Sequence, residues 1–99
     1  MKKVSIFLAE GFEEVEALTP ADLLRRAGAE VTLVSIKAEK TVTGSHGISI
    51  TADRLFEEMD YEDADLLVLD ENLDINSLFA RGKVAVWEQE VKMKGRFEQ

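Results

Sequence analysis

Between two lysines and a glutamate lies Val4-Ser5-Ile6-Phe7-Leu8-Ala9, a run with almost no polar interruption. A strand with one wet face alternates apolar and polar residues, so an unbroken run is the mark of a strand buried on both faces, as in a parallel sheet covered by helices. Gly11 ends the run. From Glu13 to Ala27 the residues Val15, Leu18, Ala21/Asp22, Leu24 and Arg25 recur at helical spacing, with acids early and Arg25-Arg26 late, the order the helix dipole favours. Gly28 supplies a stop. Pro20 conflicts with one continuous helix, because inside a helix it removes a hydrogen bond; Thr19 as cap and Pro20 as first residue would start a shorter one. The expectation is a single helix kinked near Thr19. Glu30 to Ile36 then reads as a second strand, and strand, helix and strand in this space make a parallel crossover unit.

Thr41-Val42-Thr43 and Ile48-Ser49-Ile50-Thr51 flank Gly44-Ser45-His46-Gly47, which predicts a β-hairpin over 41–51 at the edge of the sheet or projecting from it. Asp53 is positioned to cap a short helix from Arg54 to Met59. An acidic loop from Tyr61 to Asp65 leads into Leu66-Leu67-Val68-Leu69, a third buried strand. The fold class is therefore α/β, with a parallel core from strands at 3–9, 30–36 and 66–69. Beyond Leu69 the texture changes: acids dominate up to residue 80 and bases after it, and Val84 to Trp87 and Val91 to Lys94 read as strands. A strand-rich tail is expected there. With 99 residues the chain is expected to be one domain, 1–99, since independent cores usually need about 100 residues each.

A net charge of -8 repels phosphate backbones and anionic lipid, so neither nucleic acid nor a membrane is an expected partner. The absence of cysteine removes disulfides, thiolate metal sites, iron–sulfur clusters and cysteine nucleophiles together, and fits a cytoplasmic address. The initial apolar run is too short for a signal-peptide core, and nothing approaches the ~20 apolar residues of a membrane span. A soluble protein is expected.

The densest group of candidate functional residues is Glu10-Gly11-Phe12-Glu13-Glu14-Val15-Glu16, at the carboxyl end of the first strand, where open α/β sheets place ligands. Glu10, Gly11 and Glu16 are the candidate ligand-binding residues. A partly desolvated carboxylate there could exchange protons near neutral pH. For Glu13 and Glu14 the plainer account is that acids in a first helical turn favour the positive end of the dipole. Glu16 is the acid expected to face inward. The acids from Asp60 to Asp74 do not match the 12-residue calcium loop and read as a solvated surface. His46 is the single histidine, which argues against zinc, and adjacent residues on a strand point to opposite faces, so Ser45 and His46 are not expected to act as a catalytic pair. No metal or cofactor is implied.

Several of these segments, in order, resemble the amino-terminal part of the ThiJ/PfpI family, the Parkinsonism-associated deglycase and chaperone superfamily. They are Val4 to Ala17, Pro20 to Gly28, Thr43-Gly44-Ser45-His46-Gly47-Ile48 and Asp65 to Leu69. The resemblance covers residues 1–69 and leaves 70–99 unmatched. It implies a small flavodoxin-like sandwich, usually a homodimer, with activities described as glyoxalase, deglycase, peptidase or holding chaperone. It also implies a cysteine nucleophile on a strand-to-helix elbow in the second half of a longer chain, and a glutamate on the first helix that hydrogen-bonds the thiol. Glu16 occupies the matching place. The thiol is missing, and where the family has a Pro-Gly-Gly turn this chain has Asp70-Glu71-Asn72, which neither takes glycine geometry freely nor welcomes a developing anion. The expectation is a non-catalytic ThiJ/PfpI-like scaffold, truncated, chimeric or engineered, with Glu16 vestigial and the tail completing the fold. Two alternatives stand beside it: an enzyme using carboxylates alone, with Glu16 as base, and a self-associating interaction module built on the hairpin.

Overall fold

The computed structural model describes residues 1–69 and Leu73. In chain order the elements are β1 (Lys3–Leu8), α1 (Glu14–Arg26), β2 (Glu30–Ser35), β3 (Thr41–Thr43), β4 (Ser49–Thr51), β5 (Arg54–Leu55) and β6 (Leu66–Leu69), with a single 3-10 turn over Phe56–Glu58. The main sheet has the order β5-β2-β1-β6 and every pairing in it is parallel. β1 lies at its centre, with Val4 opposite Val31 on one side and Leu66 on the other. Being flanked on both edges and covered on both faces explains its unbroken apolar run: Val4 through Leu8 are all buried. The three expected parallel strands are present, and the sheet-with-helix architecture is that of the expected α/β class. Ile36 lies just past β2, yet its N–H still donates to the Leu8 carbonyl at 3.0 Å.

Side chains alternate between two cores. Val4, Ile6 and Leu8 face α1 and pack with Phe12, Ala17, Ala21, Val31 and Val42. Phe7, Val34 and Leu67 face the other way and pack with Phe56, Tyr61 and Ala64. Three rings hold the second core. Phe7 meets Tyr61 edge-on at 5.4 Å and Phe56 at 5.8 Å, while Phe56 and Tyr61 stack at 5.3 Å. The buried Tyr61 hydroxyl donates to the Phe56 carbonyl at 3.1 Å, so the ring brings no unsatisfied donor inside.

Two sequence expectations are corrected here. α1 runs unbroken through Pro20, and its inward face keeps Ala21 and Leu24 of the expected stripe but has Glu14 and Ala17 where Val15 and Leu18 were expected. Val15 is 75% exposed. Small alanines let the helix sit close on the sheet, and Val15 and Leu23 were left on the outside. The second correction concerns Arg54 to Met59, which is not a helix capped by Asp53. Arg54–Leu55 pairs with Val34–Ser35 as a two-residue strand, and the 3-10 turn follows. The Asp53 carboxylate is used elsewhere: it accepts the Leu33 N–H at 2.8 Å and an Arg25 N–H at 2.9 Å, which ties β2 to α1.

The hairpin forms as expected, with Val42 opposite Ile50, and stands as a separate two-stranded sheet that projects from the main one. No helix among the described residues is long and apolar enough to cross a membrane. The expected strands at Val84 to Lys94 and the Asp70-Glu71-Asn72 turn lie outside the described residues.

Candidate functional site

The order β5-β2-β1-β6 reverses direction at β1: the chain builds outward through β2 to β5, then returns to place β6 on the opposite edge of β1. Open α/β sheets bind ligands in the crevice beyond the carboxyl ends of the strands where the order reverses, and residues 9–13, which follow β1, lie at that place. Gly11 turns there with φ +83°, a conformation that favours glycine, and its N–H donates to the Thr43 carbonyl at 2.7 Å.

Glu10 stands at the crevice as an exposed carboxylate. Its Oε1 accepts from Lys37 Nζ at 2.7 Å and from the Thr43 N–H at 3.4 Å. The Lys37 hydrogen bond, helped by the Thr43 N–H, holds the Glu10 carboxyl below its ordinary range despite some desolvation, and Glu10 in turn raises the Lys37 ammonium. Glu10 is thus a fixed anion, better suited to holding a cationic group than to exchanging protons. Glu16, in the first turn of α1, points to the exposed side of the helix. The inward-facing acid of this turn is instead Glu14, which is 5% exposed.

Three contacts from the tip of the hairpin make that burial tolerable. Glu14 Oε2 accepts the His46 N–H at 2.8 Å and the Ile48 N–H at 3.4 Å, and Oε1 accepts from His46 Nδ1 at 2.9 Å. Burial pushes the Glu14 carboxyl up, but the hydrogen bonds from the His46 ring and from the backbone N–H groups of Glu14, His46 and Ile48 outweigh it and hold the pKa at about 2. Gly44 completes the fit, because a β-carbon there would overlap the Glu14 carboxyl. The local sequence gave no sign of this role. The partners of Glu14 lie 32 and 34 residues downstream, and only the packing of hairpin on helix brings them together.

Ser45 and His46 occupy the hairpin turn, not a strand, so the opposite-face rule does not hold: Ser45 Oγ lies 3.1 Å from His46 Nδ1. The group Ser45, His46 and Glu14 nevertheless lacks the geometry of a triad. In a triad the hydroxyl and the acid address opposite ring nitrogens, so that the ring can relay a proton. Here both meet Nδ1. Among the described residues, Glu13, Glu14 and His46 are also the one group with ligand atoms close enough to share a cation, all within 4.8 Å. A cation there would have to strip the Nδ1 proton and draw Glu14 from its backbone donors, at the positive end of a helix. The arrangement serves better as a lock between hairpin and helix.

The lock has a defined pH behaviour. His46 is raised above its ordinary 6.5, chiefly by its hydrogen bond to Glu14 and then by the charges of Glu14 and Glu13. The ring's contribution is present below 6.5 and is lost as pH rises through the higher folded-state value. The Glu14 contribution is present above 4.5 and is lost as pH falls toward about 2. The lock is therefore tightest in mildly acidic solution. An NMR titration of His46 is expected to give a midpoint above 6.5, returning toward 6.5 in Glu14→Gln; an unchanged midpoint in the variant would remove Glu14 as the cause.

Comparison with known proteins meets this geometry. The family model described as DJ-1/PfpI matches residues 2–70. The chain is 39% identical over 67 residues to a deglycase of Thermococcus kodakarensis, covering 68% of this chain and 40% of that one. It is 38% identical over 69 residues to protein/nucleic acid deglycase 2 of Escherichia coli, covering 69% and 40%. Among solved structures, oxidized DJ-1 of Toxoplasma gondii superposes with a TM-score of 0.68 at 36% identity, over 71% of this chain and 38% of that one. DJ-1beta of Drosophila melanogaster superposes at 0.67 and 33% identity, over 73% and 39%. The chain thus spans about 40% of the length of these microbial relatives.

Proposed function

The chain belongs to the DJ-1/PfpI family, and on that premise we propose that it is a non-catalytic member: an α/β scaffold that keeps the family's first crevice wall and associates with copies of itself. The observation that carries this reading is the absence of any cysteine from the sequence. Thiolate attack on a carbonyl needs the sulfur, and no serine or threonine among the described residues is set up to replace it. Ser45 is the one hydroxyl next to a histidine, and it shares Nδ1 with Glu14. The sequence after β6 agrees: where the family has a Pro-Gly-Gly turn this chain reads Asp70-Glu71-Asn72, and carboxylates in place of glycines do not favour a developing oxyanion.

The carboxylate-only enzyme is the weaker reading. It needs a base whose pKa is brought toward neutrality, whereas Glu10 is held low by Lys37 and Glu14 is held at about 2 by the turn. Glu16 keeps the place the family gives its helix acid, and in this reading it is a remnant. Mixing the chain with p-nitrophenyl acetate is expected to give a linear background rate with no initial burst. A burst proportional to protein concentration would mean an acyl intermediate and would overturn the proposal.

A further inference from the structure

The second core is apolar except at one end. On its face of the sheet β1 presents Lys3, Ser5 and Phe7, and β2 presents their register partners Glu30, Thr32 and Val34. Phe7 and Val34 close against the aromatic rings, whereas Ser5 and Thr32 line a cavity of about 180 Å³ at the amino ends of the strands. Its other walls are Met59 and Ala64, with Asp60 and Asp63 beside them. The cavity thus lies at the end of the sheet opposite to Glu10 and the crevice.

Ser5 is the informative residue. It sits within the apolar run of β1 and is 4% exposed, yet its hydroxyl makes no hydrogen bond to any of the described residues. A buried hydroxyl without a partner costs stability, and native chains keep few of them. An alanine or valine at position 5 would continue the core without that cost. A water fills about 30 Å³ of liquid, so the space beside Ser5 is that of a small molecule and not of one trapped water. The charges around the opening give its sign. Lys3 Nζ is held by Asp63 at 2.8 Å, which makes that pair neutral. Glu30 and Asp60 are then the net charge of the rim. The cavity offers hydroxyls inside, apolar walls from Met59 and Ala64, and carboxylates at the mouth.

We propose that this cavity binds a small amino alcohol, its hydroxyl exchanging hydrogen bonds with Ser5 and Thr32, its short carbon chain against Met59 and Ala64, and its ammonium between Glu30 and Asp60. The site is separate from the crevice and does not depend on whether the crevice is catalytic. Titration of 2-aminoethanol into the full chain at neutral pH, followed by backbone amide NMR, tests it. Saturable shifts are expected at Ser5, Thr32, Met59 and Ala64, with a Kd of about 1 mM, in keeping with so small a ligand. Ser5→Ala is expected to be at least as stable to heat as the parent and to bind about 10-fold more weakly. Glu30→Gln/Asp60→Asn is expected to bind about 10-fold more weakly as well, as are ethylamine, which lacks the hydroxyl, and ethylene glycol, which lacks the charge. A titration that never saturates overturns the site, as do shifts confined to other residues or shifts reproduced by sodium chloride alone. Equal binding by Ser5→Ala overturns it too, and a Ser5→Ala chain less stable than the parent would mean that the hydroxyl is already satisfied without a ligand. Ethylene glycol binding as tightly as 2-aminoethanol would contradict the place given to the ammonium.

Discussion

Phe7→Ala is expected to remove a large part of the chain's folding stability. Phe7 is 1% exposed at the centre of the sheet and is the ring that both Phe56 and Tyr61 pack against. Truncating a buried phenylalanine costs about 3–5 kcal/mol, transfer and cavity terms together, against a total stability of about 5–15 kcal/mol for an ordinary domain. The site has little means of collapsing, because β1 is held by parallel partners on both edges and cannot move toward the gap without breaking one of them. Urea unfolding followed by circular dichroism would measure the loss. A variant less than about 1 kcal/mol below the parent would mean that the aromatic core does not carry the fold as described.

The second large effect belongs to the lock between hairpin and helix. Gly44→Ala and Glu14→Ala are each expected to lower Tm by about 5–10 °C, and the double variant by little more than either alone. The added methyl drives the Glu14 carboxyl from its place, and truncation removes it, so both changes leave the same His46 and Ile48 donors without their acceptor. Additive losses would show that Gly44 and Glu14 act independently. The hairpin would retain its bonds to the loop between β1 and α1, where the Gly11 N–H meets the Thr43 carbonyl and the Ser45 N–H meets the Phe12 carbonyl. Loss of the lock therefore loosens the hairpin without unfolding the sheet.

How much of this could be read from the sequence depended on whether the deciding contact was local. The strands at Val4, Val31 and Leu66 were legible because burial on both faces writes itself into consecutive residues. That α1 exists was legible too, from spacing, end charges and Gly28. Which side it buries was not. Val15 and Leu23 face outward, while two alanines, Leu24 and one carboxylate face the core. A burial choice of that kind depends on how closely the helix approaches the sheet and on donors that arrive from another part of the chain. The two-residue strand Arg54–Leu55 was equally hidden, since its only signature is a pairing with Val34 and Ser35. That Glu10 and Gly11 lie just beyond the end of β1 was legible from the apolar run before them. The structure sets Glu16 on the exposed side of the helix and gives the buried role to Glu14, two residues earlier.

What the family membership leaves to be decided is chemistry, and conversion of methylglyoxal to lactate by the purified full chain tests it most directly. The rate is expected to equal that of buffer with an unrelated protein of similar lysine and arginine content, and to be the same for Glu16→Gln. Lactate formed in proportion to enzyme and lost in Glu16→Gln would mean that the crevice still works on carbonyls without a thiol, contrary to everything proposed for it here.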